Sequence, residues 1–115
     1  MSLRDKILAI KDIQEEEVSI PEWGCKVLVR GLTGRQRAIF LQNGIDAKGK
    51  LDMQKVYPEL VILSAYDPES KEPVFGAGDA DAVIEKSGAA LERIAQVAMK
   101  LSGLGPNVVE ESEKN

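Results

Sequence analysis

Val18-Ser19-Ile20-Pro21-Glu22-Trp23-Gly24-Cys25-Lys26-Val27-Leu28-Val29-Arg30 is the stretch that decides the fold. Val18 and Ile20 alternate with polar neighbours. Cys25, Val27 and Val29 then alternate with Lys26, Leu28 and Arg30. Successive side chains of a strand point to opposite faces, so each run offers one apolar face. Between the runs, Pro21 fixes one backbone dihedral and Gly24 permits a positive one, which makes this segment the connection of a β-hairpin. Two strands alone are marginal in water, so helices must cover the apolar face.

Upstream of the hairpin, Leu3 to Ile13 reads as an amphipathic helix with Leu3, Ile7 and Ile10 on one side. Ser2 is placed to cap it, and Asp5 lies in the first turn, where the helix dipole favours an anion. Gln14 to Glu17 reads as a polar, acidic linker.

Downstream, Thr33 followed three residues later by Gln36 is a capping box. The helix it opens carries Ala38, Leu41 and Ile45 as its expected buried stripe. Asp52 is placed to cap a third helix with Val56, Leu60 and Leu63 on one face, widened by Val61, Ile62 and Ala65. Pro58 lacks an amide proton and crowds the preceding turn, at a cost of about 3 kcal/mol inside a helix. A bend there, or a helix that begins at Pro58, is therefore expected. A strand over Leu60 to Tyr66 is the competing reading. Asp67 to Pro73 has the chemistry of a surface turn, after which Val74 and Phe75 return to the core.

Asp79 is expected to cap a short helix with Ala80, Val83 and Ile84. Ser87-Gly88 then opens the most regular helix of the chain, with Leu91, Ile94, Ala95, Ala98 and Leu101 at spacings of three and four. Gly103 is suited to end it in the left-handed conformation, with Leu104 folding back on Met99. The expected architecture is α+β and mainly α-helical: a single small helical domain over residues 1–105 with one N-terminal β-hairpin at about 17–30. Residues 106–115, with Glu110, Glu111 and Glu113, read as a flexible acidic tail. The expected core holds Val27, Val29, Leu41, Leu60, Leu63, Ile84, Leu91, Ile94 and Ala98.

The chain has 115 residues, enough for one core. Its net charge of −4, from 19 acidic and 15 basic residues, argues against nucleic acid, which needs clustered cations. Arg30, Arg35 and Arg37 are the only close set, and a solvated strand end and helical turn account for them. Cys25 is the sole cysteine, so no intramolecular disulfide forms, as suits a reducing cytoplasm. No apolar run is long enough to span a membrane, and Met1 to Lys6 is not followed by the apolar region of a signal peptide.

Catalytic chemistry finds little material here. The chain has no histidine, which removes Ser-His-Asp and Cys-His arrangements and the usual metal ligand. Cys25 lacks partners for zinc and reads as a core or edge thiol. Gly76 and Gly78 precede a helix, but Asp79 and Asp81 put negative charge where a phosphate would sit, and no lysine follows in P-loop spacing. No enzyme, cofactor or metal site is expected. Trp23, at the hairpin tip, is either an interface anchor or a residue packed on the core.

From Trp23-Gly24, through Val27, Val29 and Arg30, to Leu32-Thr33 and Arg37, the chain resembles the tail assembly chaperones of long-tailed bacteriophages and prophages. Tyr66-Asp67-Pro68 with Pro73-Val74-Phe75 is similar to that family's mid-chain turn. Leu101-Ser102-Gly103-Leu104 is similar to its helix ending, and residues 110–115 to its acidic end. Gln36 departs from the glutamate expected at the capping position but keeps the cap. The resemblance implies a non-catalytic protein of the host bacterial cytoplasm, absent from the finished virion. It also implies binding to the tape measure protein, which is kept soluble while tail-tube protein assembles around it. A homo-oligomer is an open alternative, as is a longer product of ribosomal frameshifting. Spare apolar surface would place the contact near Trp23 and the last helix, at Leu91, Ile94 and Ala98. A structural minor tail or connector protein is the second reading, and a small enzyme the third.

Overall fold

The computed structural model describes residues 2–104. Among them are five helices and a three-stranded antiparallel sheet of order β1-β2-β3. The hairpin consists of β1 (Glu15–Ile20) and β2 (Cys25–Arg30), with Val18 opposite Val27 and Ile20 opposite Cys25. Val18, Ile20, Val27 and Val29 are buried. The hairpin therefore begins earlier than the alternation marks. Glu15 to Glu17, read above as linker, belong to β1 and pair with Arg30, Val29 and Leu28. Their carboxylates meet cations: Arg30 Nε lies 3.1 Å from Glu15, Lys100 Nζ 3.3 Å from Glu16 and Lys26 Nζ 4.0 Å from Glu17. The ladder to β2 holds this segment despite the low strand preference of glutamate, with cross-strand and helix-borne cations beside it. β3 (Ala65–Tyr66) adds a third strand beside Leu28 and Val29, so the sheet is wider than one hairpin.

The first helix, α1 (Leu3–Ala9), is shorter than its apolar spacing predicts. The Ser2 hydroxyl accepts from the Asp5 amide at 3.1 Å, as the cap requires, but the chain turns extended at Ile10. No α1 residue is buried. A helix is stabilised mainly by packing its apolar face, and here that face touches no core, so the periodicity alone does not sustain another turn.

α2 (Gly34–Gly44) opens with the expected capping box between Thr33 and Gln36. Its buried line is displaced from the one expected. Phe40 and Gly44 are buried, Leu41 is half-buried, and Ala38 and Ile45 are exposed. The Gln36 side chain reaches the Leu63 carbonyl and the Tyr66 hydroxyl, both at 3.4 Å, turning the Gln36-Phe40-Gly44 row toward α3. A Cβ at Gly44 would lie 3.2 Å from Val56, so glycine permits the close crossing.

α3 (Met53–Ser64) is capped by Asp52 and runs through Pro58. It neither begins at Pro58 nor gives way to a strand over Leu60 to Tyr66; only Ala65 and Tyr66 are extended into the sheet. Proline leaves the carbonyl of Gln54 without its intrahelical partner, and burial of Val56, Pro58, Leu60, Val61 and Ile62 offsets that loss. The Asp67 turn forms as its chemistry predicts, the carboxylate accepting from the amides of Glu69 and Ser70 at 2.8 and 3.3 Å. Asp79 stands at the N-cap position of α4 (Ala80–Val83), but its side chain makes no capping bond to that helix. Its carboxylate instead reaches back to the Gly76 amide at 2.8 Å and closes the turn that precedes the helix.

α5 (Gly88–Leu101) lies across the sheet and against α3. Ser87 caps it. At its other end the Leu104 amide donates to Met99 at 2.9 Å and the Gly103 amide to Lys100 at 3.3 Å. Gly103 has φ +72° and Leu104 is buried, which completes the expected Schellman ending. Of the expected core, Val27, Val29, Leu60, Leu91, Ile94 and Ala98 are buried, while Leu41, Leu63 and Ile84 are half-buried. The expected tail, residues 106–115, lies outside the described residues.

Candidate protein-binding surface

The hairpin tip is built to hold Trp23 in place. Pro21–Trp23 forms a single tight helical turn that ends at Gly24 with φ +64°, a conformation that favours glycine. Glu22 makes a two-pronged ion pair with Arg93 of α5, at 2.7 and 3.2 Å. The guanidinium hydrogen bonds hold the Glu22 carboxyl below its ordinary pKa and raise that of Arg93. A planar fork of this kind fixes orientation as well as distance, so the tip is clamped on the helix.

Trp23 itself is half-buried. Its ring meets Phe75 edge-on, with centroids 6.5 Å apart and planes at 78°. That geometry suits the quadrupoles of two aromatic rings. Phe75 arrives from the other side because the Asp67 turn sends the chain back, the Val74 amide donating to Ala65 at 3.1 Å. Trp23 thus packs along one edge on Phe75, and the rest of its ring stays accessible.

The aromatic pair separates two clefts. One, of about 430 Å³, lies between Trp23, Phe75 and α4, with Asp79 and Lys86 in its lining. The other, of about 560 Å³, lies between the hairpin and the Asp67 turn. Cys25, at its edge, is exposed rather than part of the core.

Leu91, Ile94 and Ala98, expected to share a contact surface with Trp23, are placed in the core, with exposures of 3%, 0% and 0%. They face the sheet and α3, so they support Trp23 from beneath instead of joining it at the surface. The same regular spacing that marks an apolar face marks a core face when another layer covers it. Apolar residues do reach solvent elsewhere. Leu3, Ile7, Leu8 and Ile10 of the N-terminal segment are all more than half exposed. Spacing marks an apolar face on α1; that no other described residue buries it depends on tertiary packing and has no local signal.

Among the described residues, no group of three or more His, Cys, Asp or Glu side chains is placed to hold a metal ion. No described helix is long and apolar enough to cross a membrane.

No protein-family model matches the chain. No curated protein matches it either. Among solved structures, it is similar to the tail assembly chaperone of bacteriophage HK97, with a TM-score of 0.59 and 24% sequence identity. The similarity covers 87% of this chain and 98% of that one. The chain thus shares its fold with a bacteriophage tail assembly chaperone, the kind of protein that the order of its sequence features resembles.

Proposed function

We propose that this chain is a non-catalytic tail assembly chaperone that binds the tape measure protein, keeps it soluble and assists assembly of the tail tube around it. The observation that carries this reading is the shared fold with the HK97 protein over nearly all of both chains. Two physical features support it. Exposed apolar side chains at α1 and beside Trp23 offer non-directional attraction to an unfolded or partly folded client. The net charge of −4 keeps chaperone–client complexes apart by mutual repulsion. Trp23 is the contact residue within this reading, and Leu91, Ile94 and Ala98 hold the platform on which it stands. A long client offers many weak sites, so occupancy rests on multivalency rather than on one tight contact. The work belongs to the host cytoplasm, before the virion is complete.

Co-expression of the cognate tape measure protein with and without this chain, followed by sedimentation, tests the proposal. The client is expected in the supernatant only when the chain is present. Equal solubility in both cases would overturn it. Recovery of the chain in stoichiometric amount from purified virions would instead support a minor tail or connector role.

A further inference from the structure

We infer that the cleft between the hairpin and the Asp67 turn is a docking groove for an extended client segment in which apolar side chains are flanked by lysine or arginine. The inference rests on the chaperone reading and specifies the chemistry of what is bound. Three features of the cleft converge on it. Its floor is apolar, formed by Trp23, Val27, Val74 and Phe75. Val74 is 45% exposed although it lies between a turn and an aromatic pair. An apolar side chain from a partner would remove that surface from water.

The rim carries one sign of charge. Glu17, Asp67 and Glu69 line the cleft against a single ammonium, that of Lys26. Lys26 reaches Glu17 only at 4.0 Å, with both side chains more than half exposed, so it neutralises the rim weakly. Asp67 is fixed by its bonds to the Glu69 and Ser70 amides, which keeps its charge in place. Carboxylates around an apolar floor select cationic flanks on the occupant and repel acidic ones.

The third feature is an open strand edge. The Gly31 amide donates to Gln14 at 2.8 Å, in register with the β1–β2 ladder. Alternate residues of β2, namely Val29, Val27 and Cys25, therefore direct their backbone groups at β1. Leu28 and Lys26 direct theirs to the other side, where β3 pairs with Leu28 and Val29 only. The register would bring Pro68 opposite Lys26, but proline has no amide to give and the chain has already turned at Asp67. Lys26 thus presents an amide and a carbonyl to the cleft with no strand partner among the described residues. An extended segment can take up both, as in strand addition to a sheet edge.

Trp23 is the only tryptophan and borders both clefts, so its emission reports a bound peptide, and Val74, which lines this groove and not the other, assigns the signal. The probe is a short, blocked, tryptophan-free peptide with a central leucine pair flanked by lysines. A second peptide has glutamate flanks, and a third has lysine flanks around glycine. The lysine–leucine peptide is expected to shift Trp23 emission saturably, and the other two to leave it unchanged. Removing two rim charges by Glu17→Gln with Glu69→Gln should weaken binding about fivefold to tenfold, and raised salt should weaken the wild type similarly. Val74→Lys, at an exposed position, should abolish the shift. Equal responses to lysine and glutamate flanks, or none to any peptide, would overturn the inference. So would an emission that changes with protein concentration alone, which would put a second copy in the groove. The two proposals fail separately. If Val74→Lys solubilises the tape measure protein as well as the wild type does, the groove is wrong and the chaperone stands. If the wild type does not solubilise it, the chaperone reading fails whatever the peptides do.

Discussion

Replacing Gly31 by alanine would place a methyl group 2.7 Å from the carbonyl oxygen of Leu101 and 3.1 Å from its carbonyl carbon. Ordinary contact begins at 3.4 Å, so the end of β2 and the end of α5 must part by several tenths of an ångström. Both are backbone, and neither can turn aside as a flexible side chain would. Gly31 does not have a positive φ, so alanine suffers no dihedral strain and the effect is purely one of space. Overpacking of this kind costs about 1–3 kcal/mol. Two bonds at the junction stretch as well: the Gly31 amide to Gln14 and the Leu32 amide to the Ser102 hydroxyl, each 2.8 Å. The weaker of these effects adds about 1 kcal/mol, and lower entropy of the unfolded chain returns about 0.5–1 kcal/mol. The net loss is about 1–3.5 kcal/mol, a fall in Tm of about 4–16 °C for a domain of this size. Thermal melting followed by far-UV circular dichroism reads it directly. Gly34→Ala is the control, because nothing lies within 4 Å of its added Cβ; it should be neutral or slightly stabilising at the start of α2. If Gly31→Ala melts within about 2 °C of the wild type, the close approach of β2 to α5 is not as described.

Three further outcomes follow from the same packing. Ser102→Ala removes a hydroxyl that accepts from the Leu32 amide at 2.8 Å and donates to Ala98 at 2.6 Å. The stranded Leu32 amide should cost about 1–3 kcal/mol, seen as a lower urea midpoint with an unchanged slope. Ile94→Ala, at a position with 0% exposure, should cost about 2–5 kcal/mol by leaving a cavity between α5 and the sheet; retention of the wild-type midpoint would remove Ile94 from the core. Glu22→Gln should destabilise at neutral pH, where the charged carboxylate grips Arg93. Because folding lowers the pKa of Glu22, that stabilisation is present above the ordinary value of 4.5 and is lost as pH falls through the lowered one. Melting temperatures of the two proteins should therefore converge in acid, and a gap that persists unchanged there would contradict the link.

The sequence made most of the fold legible where one local rule and one packing partner agree. The Thr33–Gln36 box, the Asp52 and Ser87 caps, the Asp67 turn and the Gly103 ending each satisfy free backbone groups within a few residues. Their chemistry does not depend on the rest of the chain. Features that depend on tertiary contact were harder to read. Glu15 to Glu17 are extended because they continue the β1–β2 ladder opposite Arg30, Val29 and Leu28, and the exposed ion pairs to Arg30, Lys100 and Lys26 add only a little. The row of α2 that is buried is set by Gln36 reaching Leu63 and Tyr66, not by the apolar spacing of Ala38, Leu41 and Ile45. Pro58 sits within a helix because the buried face around it outweighs one missing hydrogen bond.

The candidate site divides in the same way. The place of Trp23 at the hairpin tip was legible, since Pro21 and Gly24 mark the turn that carries it. Its partner Phe75 enters only through the return of the chain at Asp67. Leu91, Ile94 and Ala98 have the spacing of a surface stripe and of a core stripe alike. Only the sheet beneath them distinguishes the two.

The most direct test of the chaperone role is light scattering by the cognate tape measure protein as it is diluted from denaturant, with and without this chain and with no nucleotide present. Suppression of scattering that grows with the amount of chain, and that an equal mass of an unrelated acidic protein does not reproduce, is the predicted result. Scattering that is unchanged by an excess of the chain would contradict it.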